Sequence, residues 1–182
     1  LVIGNENSEQ SLSTGGINMF YKVEDFLLEW RREFHRTASV LKRLTDESLT
    51  QQVAPLHWSL GDIAWHLPYT MHEMLTPTGL KIDFVDSPHD LPHTASNILD
   101  TYLKTAQSVY DAVKNTWDDH SLSHTSSPYG EKWPHALTLR ILIQHEIHHR
   151  GQVLILMRQA GLRVPGLYGS VREDFHSIHP RE

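Results

Sequence analysis

The sequence predicts an all-α protein: a four-helix bundle closed by a short irregular C-terminal strap. Three observations carry this. Four separate stretches repeat apolar residues at steps of three and four, the spacing that lines one face of a helix. No stretch reads as a persuasive strand. The chain has 182 residues, enough for one domain with a sizeable core.

Residues 1–18 are rich in Ser, Gly and Asn and show no period. They read as a flexible N-terminal extension or an expression remnant, with Met19 as the natural start of a single domain spanning residues 19–182. The first helix is expected from residue 21 to about residue 44. Val23, Phe26, Leu27, Trp30, Phe34, Ala38, Leu41 and Leu44 form its stripe, and Glu24, Arg31, Arg32 and Lys42 take the other face. His35 lies at the edge of that stripe and reads as a boundary residue.

A polar loop over residues 45–57 leads into Trp58-Ser-Leu-Gly-Asp-Ile-Ala-Trp-His66. Ser59 followed three residues later by Asp62 is a capping box, which starts the second helix just after Ser59. Ile63, His66, Leu67, Thr70 and Met74 then share its inward face, and Pro68 predicts a kink beside His66. Residues 76–92 read as a surface loop. A third helix is expected over residues 94–118, on a stripe of Ile98, Leu99, Tyr102, Ala106, Val109, Tyr110, Val113 and Trp117. Residues 119–134 form a Ser- and His-rich loop with a Pro-Tyr-Gly turn. The fourth helix begins between Pro134 and Leu139, with Thr138 as the expected N-cap, and stops at Gly161. The tail, residues 163–182, is polar and interrupted by Gly and Pro, and predicts an extended strap with one short helical turn. Two of these loops are longer than usual for a bundle.

Composition excludes several functions. Net charge is −6, with no basic patch dense enough to hold a nucleic acid. There is no cysteine, hence no disulfide, thiolate ligand or cysteine nucleophile, and this fits a cytoplasmic location. No apolar run is long enough to span a bilayer, so no membrane role is expected. None of the serines sits in a glycine-rich elbow of the kind that carries a nucleophile.

The outstanding feature is 14 histidines. His57, His89, His93, His120, His124 and His179 fall in polar turns and read as solvated. His145-Glu-Ile-His-His149-Arg-Gly-Gln differs, because His145 and His149 are one helical turn apart on nearly the same face. That face carries Leu142, Val153, Leu156 and Ala160, so both imidazoles leave a core-facing stripe. Two imidazoles so placed suit a divalent metal, since burying them unpaired is costly. His66 points inward from another helix and makes a third ligand. His148 is expected on the flank.

Read literally, His145-Glu146-x-x-His149 is the zinc-protease helix, in which Glu activates a metal-bound water. Glu173 or Asp174 would then supply the third ligand. Such proteases hold substrate along the edge strand of a sheet, and no sheet is predicted. Glu146 reads instead as a solvated carboxylate, or one behind the ligands.

Taken together, the Trp58-Ser opening of the second helix, His66, the His145 to Gln152 run and the closing Ala-Gly161-Leu-Arg-Val-Pro165 resemble the DinB-like family of small metal-binding helical bundles. The likeness extends from Met19 to about Tyr168. It implies a bundle with up-down-down-up topology and a site for one divalent metal ion, zinc or nickel, on His66, His145 and His149. Family members include metal-dependent hydrolases and enzymes that transfer low-molecular-weight thiols. The expected function is therefore a metal-dependent enzyme acting on a small molecule, either a hydrolase or a thiol S-transferase. Its alternative is a non-catalytic, stress-associated metal-binding protein. On the back of the fourth helix, Ile143, Ile147 and Leu154 fall within about 40° of one another. Apolar residues on both faces, with a family that often dimerises, predict a homodimer.

Overall fold

The computed structural model describes residues 20–84 and 94–175. The expectations for residues 1–18, and for His89, His93 and His179, lie outside the described residues. Four long helices make the fold: α1 (Val23–Leu41), α2 (Leu60–Leu75), α3 (Ala95–Thr116) and α4 (His135–Gln159). A one-turn helix, α5 (Arg172–Phe175), lies in the strap. Short 3-10 turns occupy Asp46–Thr50, Thr76–Thr78 and Asp119–Ser123. Each of α1 and α2 packs against both α3 and α4, so the core lies between two diagonal pairs. Phe26, Trp30, Leu60, Met71, Ile98, Tyr102, Val109, Leu139 and Val153 fill it without exposure to solvent. No helix among the described residues is long and apolar enough to cross a membrane.

The ends of the helices show where local chemistry departs from the repeat. The first stripe continues to Leu44, but α1 stops at Leu41 because the following N–H groups bond three residues back, Arg43 to Val40 and Leu44 to Leu41. This tightens the last turn and still buries Leu44. The predicted capping box at α2 is present: Ser59 Oγ accepts from the Asp62 N–H, and Asp62 accepts from the Ser59 N–H at 2.7 Å. Gly61 fits closely beside it, since a Cβ there would sit 3.1 Å from the Leu49 carbonyl oxygen, tighter than an ordinary contact. That close approach lays the start of α2 against the Asp46–Thr50 turn. Pro68 is accommodated inside α2.

Two expectations are corrected before α4. Residues 119–134 contain a small antiparallel sheet, with β1 (Thr125–Ser126) pairing with β2 (Trp133–Pro134). Two-residue strands are too short to leave an alternating pattern in a sequence. The helix then begins at His135, and Thr138 is not its cap but a buried residue of the first turn. The hairpin supplies a backbone partner in place of a side-chain cap for the first of the helix's free N–H groups, the His124 carbonyl accepting from the His135 N–H at 2.8 Å. The sheet packs on the Thr76–Thr78 turn, so the end of α2 adjoins the start of α4 and the two helices run antiparallel. At the other end of α4, Gly161 takes φ +77° and the Leu162 N–H reaches back to the Met157 carbonyl. This closure is the expected C-terminal stop.

Candidate metal centre

His66, six residues into α2, and His145 and His149, midway along α4, meet between the antiparallel helices. One ring nitrogen from each lies within 4.8 Å of the others. His145 Nε2 and His149 Nε2 are 3.0 Å apart. The ring centroids of His66 lie 5.1 Å from His145 and 4.7 Å from His149. All three rings are half-buried.

Neighbours outside the triad hold two of the three rings. His149 Nδ1 donates to Oε1 of Gln152 at 2.7 Å, which leaves the Nε2 lone pair facing His145. Thr70, one turn along α2, donates its hydroxyl to the His66 carbonyl at 2.8 Å, and its oxygen lies 3.2 Å from His66 Nε2. Trp58 covers the mouth with its ring centroid 5.0 Å from His66 and 6.5 Å from His149. In the loop two residues before it, Leu56 takes a left-handed conformation with φ 67°. Trp58 remains 54 % exposed, unusual for an indole that touches two other rings.

The rings are poor bases. Burial and then the neighbouring His149 push His66 down to about 4 from an ordinary 6.5. Burial and then the three other histidines at this site bring His145 to about 4 as well. His149 is lowered too, chiefly by burial, with Gln152 acting in the other direction. At neutral pH all three are uncharged and offer lone pairs rather than protons. His148 is exposed on the flank, edge-on to His149 at 4.9 Å.

Glu146 corrects the reading of it as solvated or as a supporting carboxylate. It is 2 % exposed, turned into the core, and accepts from the Tyr102 hydroxyl at 2.5 Å. Burial raises its pKa against the hydrogen bonds from Tyr102 and Thr37. The rotation of α4 that aims His145 at His66 carries the next residue towards α1 and α3. Glu146 therefore does not face the cluster, and the protease arrangement is absent. Glu173 is engaged by Arg158 at 2.9 Å, and Asp174 accepts from the Val171 N–H in the same short turn.

Sequence reasoning assigned no role to Arg150 within the histidine run. It is 1 % exposed and bonds to Glu33 Oε2 at 2.6 Å, to the Glu33 carbonyl and Thr37 at 3.1 Å, and to Tyr168. An arginine between apolar positions was the available signal, since that residue type is almost never fully buried unless paired. Its partner Glu33 lies on a different helix and could not be read from spacing.

Four packed helices, with a histidine triad between α2 and α4 and a C-terminal strap along α4, make this a small helical-bundle protein with a candidate metal centre. The chain belongs to the DinB family, whose family model matches residues 19–182. It is 38 % identical over 157 residues to the uncharacterised protein YrdA of Bacillus subtilis (strain 168), covering 86 % of this chain and 94 % of that one. The crystal structure of a DinB-like protein from Bacillus cereus ATCC 10987 superposes with a TM-score of 0.79 at 41 % identity, over 82 % of this chain and all of that one. A second DinB-like structure, YjoA of Bacillus subtilis, has a TM-score of 0.61 at 14 % identity, over 79 % of this chain and 97 % of that one. This second likeness is one of fold.

Proposed function

We propose that His66, His145 and His149 hold one divalent metal ion, zinc or nickel, and that the protein is a metal-dependent enzyme acting on a small molecule. The observation that carries this reading is the convergence of three uncharged imidazoles on one point from two helices. The donor set fits. Nitrogens about 2.0–2.1 Å from zinc stand roughly 3.3 Å apart at a tetrahedral angle, close to the 3.0 Å between His145 and His149. Imidazole suits zinc and nickel alike. Three protein ligands leave coordination positions for water or substrate, the arrangement of catalytic sites.

When bound, the metal would lower the pKa of a coordinated water or substrate thiol towards neutrality. The chain's own residues do the rest. Gln152 holds His149 in the tautomer with a free Nε2, and Trp58 packs beside His66 and His149. With Glu146 buried away from the cluster, the reading as a hydrolase or a thiol S-transferase does not lean on a protease-type glutamate base. Elemental analysis of purified protein, followed by thiol-conjugation, ester and amide panels, tests the reading. Turnover that requires metal and disappears in His145→Ala supports the enzyme. Stoichiometric metal without turnover in any panel supports the non-catalytic, stress-associated alternative, and no metal uptake overturns both.

A further inference from the structure

A second cluster lies along α2 from the histidines. Glu73 is seven residues after His66, which at 100° per residue returns it to within about 20° of the same face, about 10 Å further along the axis. Its Oε1 faces the Tyr69 hydroxyl at 3.4 Å, and its Oε2 accepts from the Tyr129 hydroxyl at 3.2 Å. Tyr69 bridges the two clusters, with its ring centroid 6.3 Å from His66. Trp133 closes the far side, 5.7 Å from Tyr129. The result is a carboxylate set among aromatic rings, continuous with the histidine site.

Elsewhere in this chain such groups contain their cation. Glu33 accepts from Tyr168, and the Arg150 and Arg36 guanidiniums complete that cluster, both of them over the Tyr168 ring. Tyr110 carries Arg31 and Lys114 over its face. Among the described residues no basic side chain pairs with Glu73, and none stands over Tyr69, Tyr129 or Trp133. A carboxylate held by two hydroxyls and flanked by ring faces is what an ammonium group seeks, through charge-assisted hydrogen bonds and cation–π attraction.

We infer that Glu73, Tyr69 and Tyr129 form a recognition subsite for an ammonium group, and that the substrate is an amine whose reacting end reaches the three histidines. The inference rests on the metal reading given above and deepens it by naming a substrate class. The tyrosines fix the carboxylate before binding, so little side-chain freedom is lost when the amine arrives.

Calorimetric titration of zinc-loaded protein with 6-aminohexanethiol and with 6-mercaptohexanol tests it. The two probes share a thiol and a six-carbon chain and differ in the terminal group, which reaches a distance comparable to the two helical turns. The expected result is at least tenfold tighter binding of the amine, lost in Glu73→Gln while zinc uptake is unchanged. Tyr129→Phe cuts the same tie between the β1–β2 loop and α2 but keeps the charge, and should retain most of the preference. Equal affinity for the two probes, no binding of either to zinc-loaded protein, or equal loss in Tyr129→Phe and Glu73→Gln overturns the subsite and leaves the metal reading standing. Failure to load either zinc or nickel overturns the metal reading, and the subsite with it.

Discussion

Arg150 Nη2 lies 2.6 Å from Oε2 of Glu33, and neither side chain is more than 6 % exposed. This ion pair joins α1 to α4 one residue beyond His149. Burial would raise the Glu33 carboxyl, but the Tyr168 hydroxyl and the Arg150 and Arg36 guanidiniums outweigh it and hold its pKa below the usual carboxylate range. The pair thus fixes the rotation of α4 that aims the two histidines, and ties the strap to it through Tyr168. Breaking a buried pair from one side leaves a charge without its partner, at about 3–5 kcal/mol. Arg150→Met is expected to lose about 3 kcal/mol in urea denaturation, at the low end because Arg36 and Tyr168 still serve Glu33. Glu33→Met combined with Arg150→Met should cost less than the sum of the single changes. Simple additivity would show that the two residues act independently.

Loaded metal should stabilise the native state by mass action, since the unfolded chain does not hold three histidines together. A chelator is therefore expected to lower the melting temperature while leaving the helical circular dichroism at room temperature unchanged. The core between α1, α2, α3 and α4 does not depend on the histidines. An identical melting curve after verified removal of metal would show that the site and the fold are not coupled.

Gln152 is expected to act on metal affinity through His149. Outer partners of ligating histidines commonly contribute 10–100-fold, and this one sits on an exposed helix position with a 2.7 Å bond. Gln152→Ala should weaken zinc binding about tenfold in chelator competition, and Gln152→Glu, which keeps an acceptor at the same reach, should restore it. Equal affinity in all three proteins would mean that the ring is oriented by packing alone.

The depressed histidines predict how the metal-free protein responds to acid. His66 and His145 titrate at about 4 in the folded chain, against 6.5 for an unperturbed ring. Between those values the unfolded chain binds more protons, so stability falls as pH is lowered and the loss is complete below about 4. Lowering the pH from 7 to 5 should cost on the order of 2 kcal/mol for the two rings, the full shift being reduced by solvent screening at these half-buried positions. Urea midpoints of chelator-treated protein at the two pH values measure it. His66→Asn combined with His145→Asn should flatten the dependence, and an undiminished slope would place its origin elsewhere.

The four helices and the histidine triad were legible because each rests on a pattern that repeats within one helix. His145 and His149 are neighbours by periodicity, and His66 joined them because its own stripe faced inward. What escaped the sequence depends on pairs far apart in the chain or on units too short to repeat. Glu33 and Arg150 are 117 residues apart. Glu146 reads from the sequence as solvated or behind the ligands, and only the positions of Tyr102 and Thr37 decide that it enters the core. The hairpin of two-residue strands leaves no periodic trace, and without it Thr138 reads as the N-cap of α4, whose start at His135 falls within the expected span.

The back of α4 bears on association. Of the three apolar residues grouped there, Ile143 is fully buried, Leu154 is half-buried and Ile147 remains 38 % exposed. The strap runs past them and leaves a cleft of about 360 Å³, lined by Ile147, Leu154, Val164 and Leu167 among others. Ile155, on the same helix, is 54 % exposed. The strap thus covers part of the surface and leaves an apolar remainder that a twofold partner would bury with one self-complementary patch. We expect a homodimer with α4 near its interface. Sedimentation at micromolar concentration should give twice the chain mass, and Ile147→Asp should shift it to the monomer without changing the helical spectrum. A monomer in the unaltered protein, with Ile147→Asp equally soluble and of the same mass, would show that the strap alone is sufficient cover.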